Sequence, residues 1–219
     1  MNNTLATAVA HSLIEIGAVG FVPQKPIRFK SGLLSPVYID NRRFPFYPAQ
    51  WAVVIEGFQQ LIQEHDLKFD VIAGIESAGI PHSAALGYTL KVPSVFARKT
   101  VKDHGTKKMV EGGNVQGQRV LLLEDHITTG GSSLTGAQHI RGEGATVADC
   151  IAITSYEFPV AEEEFKDANV TLHTLTSFQV ILDVALKQGL FSAQERSVIE
   201  DWLEDSLGWE QRHFGGTYE

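Results

Sequence analysis

Short, almost wholly apolar runs alternate with amphipathic segments through the middle of this 219-residue chain. Such short apolar runs are typical of strands in a parallel sheet that helices cover on both faces. We therefore predict an α/β fold built on a parallel sheet flanked by helices. The predicted strands are residues 70–74, 94–98, 119–124 and 147–154, and the predicted helices lie near 80–90, 132–142 and 159–168.

The N-terminal part has a different pattern. Apolar residues at mostly helical spacing predict a helix over 4–18. Several prolines and a short alternating stretch, 37–39, then predict turns and a small strand pair over 21–48. A further helical run begins at Pro48 and ends near residue 65. We expect 1–48 to form a helix and a flap rather than part of the core.

The C-terminal pattern predicts a strand over 171–174, a helix from Ser177 and a last helix that Ser192 caps, with Glu195 three positions later. We therefore divide the chain into the flap at 1–48, a core at 49–187 and an acidic helical tail at 188–219.

The connection at 99–117 between two predicted strands has no hydrophobic periodicity and contains several glycines. A structureless connection longer than about 15 residues inside a compact domain is usually functional or disordered. Its start is basic, since only Asp103 opposes Arg98, Lys99, Lys102, Lys107 and Lys108. We predict that this segment is a mobile lid that grips an anion.

The net charge of −8 hides an uneven distribution, because residues 157–219 hold 13 acids and 4 bases while residues 1–156 hold 13 acids and 14 bases. An acidic total argues against general nucleic-acid binding. No apolar run approaches membrane-spanning length, and the chain does not start like a signal peptide, so we expect a cytoplasmic protein with no membrane partner. The lone cysteine, Cys150, lies in an apolar run and is expected to be buried in a strand.

Residues 119–133 contain the main candidate for a ligand-binding site. An apolar strand leads into Glu124 and Asp125, and the chain then turns through Thr128-Thr129-Gly130-Gly131-Ser132 into a helix. Hydroxyls and glycine-freed N–H groups at a helix start form a cradle for a phosphate monoester. Two carboxylates beside it can bind neighbouring hydroxyls of a polyol, so ribose 5-phosphate satisfies both features. The alternative is an ordinary strand–turn–helix corner with surface acids. His126 is expected to point away from the site.

Residues 123–132 resemble the phosphoribosyl pyrophosphate signature of type I phosphoribosyltransferases. Three more segments resemble the orotate phosphoribosyltransferase family: 29–38 its substrate segment, 74–81 its pyrophosphate loop and 98–105 its catalytic lid. The likeness runs in order from about residue 12 to 187. It implies a Rossmann-like parallel sheet with an N-terminal flap or hood, and an enzyme that joins orotate to phosphoribosyl pyrophosphate in pyrimidine biosynthesis.

The resemblance also implies residue roles. Lys102 and Asp125 would be catalytic. The ribose phosphate would bind Glu124, Asp125, Thr128, Thr129, Gly130, Gly131 and Ser132. The pyrophosphate would bind Glu76, Ser77, Ala78, Arg98, Lys99, Lys102 and His104. Orotate would bind Lys30, Tyr38 and Thr128.

The implied cofactor is Mg²⁺, held through substrate oxygens and water with no direct protein ligand. The implied assembly is a homodimer in which each lid reaches the neighbouring site. Two positions depart from the family pattern: Ala78 stands where some members carry a lysine, and Tyr156 lies where some carry a base-facing arginine.

Two alternatives stay open. A phosphoribosyltransferase for a purine or for uracil shares the phosphate loop but should lack the 29–38 segment. A regulator that senses phosphoribosyl pyrophosphate would need a basic face or an added DNA-binding module, and the basic cluster here is confined to the lid. Other nucleotide and zinc motifs, GxxxxGK[ST], GxGxxG and HExxH, are absent from the sequence.

Overall fold

The structure, a computed structural model, describes residues 3–22, 24–29, 32–99 and 109–216. The helices are α1 (Asn3–Glu15), α2 (Pro48–Glu64), α3 (Gly79–Leu90), α4 (Gly131–Gly142), α5 (Pro159–Asp167), α6 (Phe178–Lys187), α7 (Ala193–Glu204) and α8 (Trp209–Phe214). The strands are β1 (Val19–Phe21), β2 (Ile27–Arg28), β3 (Leu34–Ser35), β4 (Val37–Ile39), β5 (Val71–Ile75), β6 (Ser94–Ala97), β7 (Val110–Glu111), β8 (Val120–Ile127), β9 (Asp149–Ser155) and β10 (Thr171–Ser177). A 3-10 helix, Asn41–Phe46, precedes α2.

Within these ranges, β5 to β10 form one sheet in the order β10–β9–β8–β5–β6–β7. Neighbouring strands run parallel except β7, which is antiparallel to β6 at the edge. Alternate residues of β8 lie on opposite faces of the sheet, where two apolar clusters form. Leu121 and Leu123 belong to one cluster, and Val120 and Leu122 belong to the other. Both faces are buried, which explains the continuous apolar strands and confirms the predicted parallel α/β fold. Cys150 is buried in β9, as predicted.

Two strands continue past their predicted ends, β8 to Ile127 and β10 to Ser177. The added residues are mostly polar, yet they still pair with β9, where Thr154 lies opposite both His126 and Thr176. For β8 the prediction stopped too early because it followed the apolar run. Asp125 therefore lies within a strand rather than at the start of a loop, and its backbone is fixed by the sheet.

Part of the predicted lid packs on the sheet. Val110–Glu111 form β7, and Val110 and Val115 are buried in an apolar cluster. The prediction that 99–117 has no secondary structure is thus wrong for this half, because a two-residue strand is too short to show alternation. Residues 100–108, which include Lys102 and His104, lie outside the described residues.

The flap contains two antiparallel pairs, β1 with β4 and β2 with β3. In the tail, α7 starts with the predicted capping box of Ser192 and Glu195. The prediction that α7 is the last helix is wrong, because the short α8 follows it. Trp202 and Trp209 are fully buried in the main apolar cluster, so the tail packs against the rest of the chain. Across the described ranges, a helix with the length and hydrophobicity of a membrane span is absent.

Candidate active site

The turn from β8 into α4 is built around Gly130. This residue has a φ of 85°, and a Cβ added there would lie 2.6 Å from Cε2 of Phe165. Glycine is therefore required both by the backbone conformation and by the space available. The first N–H groups of a helix have no acceptor within the helix, so they are available to an anion. The turn and the start of α4 line a cavity of about 140 Å³ together with Lys99, Glu124 and Asp125. We call it the phosphate cavity, after the ligand that the sequence predicts for it.

The two carboxylates at this cavity differ in their surroundings. Glu124 is 4% exposed, and its carboxylate accepts hydrogen bonds from the backbone N–H of Asp125 at 3.1 Å and from the Ser133 hydroxyl at 3.5 Å. Burial, followed by the nearby charge of Asp125, raises the pKa of Glu124 well above its usual range. Burial also raises the pKa of Asp125, but a hydrogen bond with Glu124 opposes the rise. The positive charge of Lys99 lowers both pKa values. Burial and the proximity of the two groups therefore disfavour the ionisation of both carboxylates at once.

A network of polar side chains holds the backbone carbonyl of Asp125 in place. The Asn41 amide donates to the Asp125 carbonyl at 2.8 Å and to the Thr154 hydroxyl at 2.9 Å. The Thr154 hydroxyl lies 2.8 Å from Nδ1 of His126. Burial lowers the pKa of His126 to about 4, so the ring is neutral near pH 7. The ring packs against Tyr156 with ring centroids 4.5 Å apart, and His126 is also one of the residues that line the cavity. Sequence analysis missed Asn41, since a side chain that binds a backbone carbonyl leaves no motif.

Residues 76–78, the part of the predicted 74–81 loop expected to bind pyrophosphate, join β5 to α3 beside the carboxylates. The close approach depends on Gly79, where a Cβ would lie 2.4 Å from the Leu123 carbonyl oxygen. The Glu76 carboxylate accepts the backbone N–H of Lys99 at 3.1 Å, which ties this loop to the start of the predicted lid. Arg98 instead pairs with Glu111 of β7 at 3.0 Å. The structure thus brings Lys99 to the phosphate cavity, links Glu76 to Lys99 and places the described ion pair of Arg98 at the sheet edge.

The antiparallel pair β2–β3, called the flap hairpin from here on, borders a second, larger cleft of about 520 Å³. The cleft shares Thr128 and Thr129 with the phosphate cavity, and Gly32 and Leu33 line its flap side. Thr128 therefore lies where the two cavities meet. The ring of Tyr38 covers Gly20 of the neighbouring strand, where a Cβ would lie 1.9 Å from the ring, so flap packing accounts for this residue. Lys30 lies outside the described residues.

Tyr156 lies at the centre of an aromatic cluster below the flap. Its ring is within 5.1–5.3 Å of the rings of Phe158, Phe178 and Trp202 and 6.4 Å from that of Phe29. Burial raises the pKa of its phenol, so it stays neutral. Where some family members carry a base-facing arginine, this chain thus has a packed, uncharged ring.

The fold and the phosphate loop define a phosphoribosyltransferase, and the phosphoribosyl transferase domain family matches residues 47–187. The chain is 40% identical over 205 residues to the orotate phosphoribosyltransferase of Coxiella burnetii, covering 94% of this chain and 98% of that one. It belongs to the orotate phosphoribosyltransferase family, as the resemblance predicted.

Solved structures agree on the fold. The orotate phosphoribosyltransferase from Aeropyrum pernix superposes with a TM-score of 0.73 at 27% identity, covering 84% of this chain and 99% of its own. UMP synthase from Leishmania donovani has a TM-score of 0.78 at 23% identity, covering 91% of this chain and 42% of its own. The second likeness concerns the fold alone.

Proposed function

We propose that the chain transfers the phosphoribosyl group of phosphoribosyl pyrophosphate to N1 of orotate, giving orotidine 5′-monophosphate and pyrophosphate. The observation that carries this proposal is the paired cavities. A phosphate-sized cavity lined by the buried Glu124 and the half-buried Asp125 shares Thr128 and Thr129 with a cleft below the flap hairpin. A ribose phosphate and a base joined at C1′ would need such adjoining sites. The names of the relatives support orotate as the base.

In the proposed reaction, the bond from C1′ to the pyrophosphate oxygen breaks largely before N1 of orotate attacks. Positive charge then builds on the ribose and negative charge on the departing pyrophosphate. The Thr128–Ser132 turn would hold the 5′-phosphate, and Glu124 and Asp125 would accept hydrogen bonds from the ribose hydroxyls. An ionised Asp125 would also stabilise the developing cation. No protein nucleophile is needed, so catalysis would rest on positioning and fixed charges.

The residues that line the phosphate cavity fit Mg²⁺, the predicted cofactor. Hard cations prefer oxygen ligands, and carboxylates and hydroxyls surround the phosphate cavity. Among the described residues, no cluster of three or more His, Cys, Asp and Glu side chains could hold a metal by itself. We propose that pyrophosphate and ribose oxygens supply the direct ligands. When bound, the ion would neutralise charge on the leaving group, while Glu124 and Asp125 would orient the ribose.

We also propose the remaining predicted contacts. Lys102 and His104 of the lid, with Lys99 and the 76–78 loop, would meet the pyrophosphate, and Lys30 would meet the orotate carboxylate. Arg98 would have to exchange its partner Glu111 for the ligand. Tyr38 would contact the orotate ring while its own ring stays packed on Gly20.

Two exposed aromatic side chains support the homodimer that the resemblance implies. Phe46 of the 3-10 helix is 82% exposed and Tyr88 of α3 is 78% exposed. The two elements adjoin, because the rings of Phe44 and His82 lie 6.4 Å apart. Large contiguous apolar patches mark interaction sites, and aromatic residues are enriched at the centre of protein interfaces. We propose that this face pairs with a second copy and that each lid closes on its partner's site.

A spectrophotometric assay tests the proposed function. The protein is incubated with phosphoribosyl pyrophosphate and Mg²⁺, and absorbance follows the loss of orotate beside parallel reactions with uracil, adenine and hypoxanthine. We expect turnover with orotate alone. Turnover of a purine or of uracil without turnover of orotate would overturn the base assignment, and binding of phosphoribosyl pyrophosphate without any turnover would favour the regulator.

A further inference from the structure

The tail contacts the flap hairpin β2–β3 at two points far apart in sequence. The indole N–H of Trp202 in α7 donates to the Leu34 carbonyl at 2.9 Å, and this bond is buried. The guanidinium of Arg28 donates to both carboxylate oxygens of Glu210 in α8, at 2.6 and 2.9 Å. The two C-terminal helices thus hold both strands of the hairpin.

Arg28 also holds the turn of the same hairpin. Its Nη1 donates to the Gly32 carbonyl at 2.9 Å, so one guanidinium links β2, the end of the turn and α8. Gly32, Leu33 and Glu210 all line the cleft that Thr128 shares with the phosphate cavity. The ion pair therefore lies at the rim of the cleft in which orotate is proposed to bind.

The hairpin needs this support because each strand contains only two residues. An isolated two-stranded hairpin is marginally stable even when it is longer. Apolar contacts at this end, such as that between the Phe29 and Tyr156 rings at 6.4 Å, constrain the orientation of the hairpin less than a directional ion pair does. A bidentate pair between Arg and a carboxylate, in contrast, fixes both distance and orientation.

The ion pair is partly exposed, with 41% of the Arg28 side chain and 22% of the Glu210 side chain accessible. Pairs of this kind contribute little to global stability. Helix α8 itself is anchored to α7, since Arg212 pairs with Asp201 and Asp205 and His213 pairs with Asp201. Glu210 therefore lies on a helix that is itself held in place. Its ion pair with Arg28 can then fix the position of the hairpin.

We propose that the tail is a strap that positions the flap hairpin over the base-binding cleft, with Glu210 as a positioning residue acting through Arg28. The proposal rests on the proposed function, because it assigns the cleft to orotate. It gives the acidic tail a role in base affinity and leaves the phosphate site independent of it.

The test measures steady-state kinetics of Glu210→Gln in the full-length protein. This change keeps the shape of the side chain and removes its charge. We expect the KM for orotate to rise about fivefold, the factor that corresponds to losing one well-placed ion pair. The KM for phosphoribosyl pyrophosphate, kcat and Tm should stay near the parent values. Glu200→Gln is the matched control, because it breaks an exposed ion pair with Arg196 within α7. It should leave every parameter unchanged.

A second variant separates positioning from direct contact. In an Arg28→Met background, Glu210→Gln should raise the KM for orotate no further, because the pair is already lost. An independent effect of Glu210→Gln in that background would overturn the proposal, as would an unchanged KM in the single variant. A joint loss of Tm and kcat would also overturn it, since it would indicate a purely structural contact. If the parent protein itself fails to consume orotate, the proposed function has failed instead.

Discussion

His82 and His126 are buried imidazoles whose pKa values fall to about 4, because burial disfavours the charged ring. An unfolded histidine titrates near pH 6.5. Between about pH 6.5 and 4 the unfolded state therefore binds more protons than the native state, and the free energy of unfolding falls as the pH falls. Glu124 and Asp125, whose pKa values are raised, act in the opposite sense.

His82→Asn should flatten this pH dependence. Nδ1 of His82 accepts the indole N–H of Trp51 at 2.9 Å, and an asparagine oxygen can replace that acceptor without titrating. The free energy of unfolding, from urea titrations at pH 4.5 to 6.5, should vary with pH less steeply than in the parent by up to about 1.4 kcal/mol per pH unit. The same substitution at the exposed His11, His11→Asn, is the matched control. An unchanged slope in His82→Asn would mean that His82 titrates normally in the native protein.

Single residues of the site were predictable where they carry a motif. Glu124, Asp125 and the Thr128–Ser132 turn could be singled out because their types and order resemble a known signature, and the structure places them around one cavity. Asn41 and Glu210 were not predictable. Each contacts a residue more than 80 positions away in sequence, the backbone of Asp125 and the side chain of Arg28 respectively. Such contacts exist only once the chain is folded.

At the scale of elements, the start of α4 depends on one glycine. Gly130→Ala should lower the free energy of unfolding by about 1–3 kcal/mol, because it forces a side chain into a positive φ and against Phe165. Thermal and chemical denaturation measure the effect. Gly131→Ala is the matched control for stability, since a Cβ there meets no atom within 4 Å. Equal stability of the two variants would contradict the tight turn described here.

Elements were predictable in proportion to their length and burial. The long apolar strands β5 and β8 appear in the sequence as continuous runs because both faces of the sheet are covered. Strand β7, with two residues, and helix α8, with six, are too short to show a period. The polar ends of β8 and β10 were missed because their pairing with β9 is a property of the sheet.

At the scale of the whole molecule, the shared-lid dimer makes a prediction for mixed subunits. Lys102→Ala and Asp125→Asn should each be nearly inactive alone. If lids act across the interface, a mixed dimer has one site with both defects and one with neither. Random exchange makes about half the dimers mixed, so activity should recover to about a quarter of the parent value. Subunit exchange shown by mass spectrometry without recovered activity would reject the shared lids and leave the transferase intact.

The three predicted parts of the chain meet in one apolar cluster, which includes Leu13 of α1, Phe58 of α2 and Trp202 of α7. Sequence pattern gives the order of these parts, but not their contacts. The role of the tail in particular follows from where α7 and α8 pack and not from their acidic composition.

The kcat of Asp125→Asn tests the central claim most directly, namely that phosphoribosyl transfer takes place between the carboxylates and the phosphate turn. The change keeps the shape and removes the charge that would stabilise the ribose cation. With saturating orotate, phosphoribosyl pyrophosphate and Mg²⁺, kcat should fall about 100-fold or more, a loss near 3 kcal/mol. Asp149→Asn, at the opposite end of the strands and paired with His173, should keep the parent kcat. A folded Asp125→Asn protein with a kcat within about threefold of the parent would contradict the account.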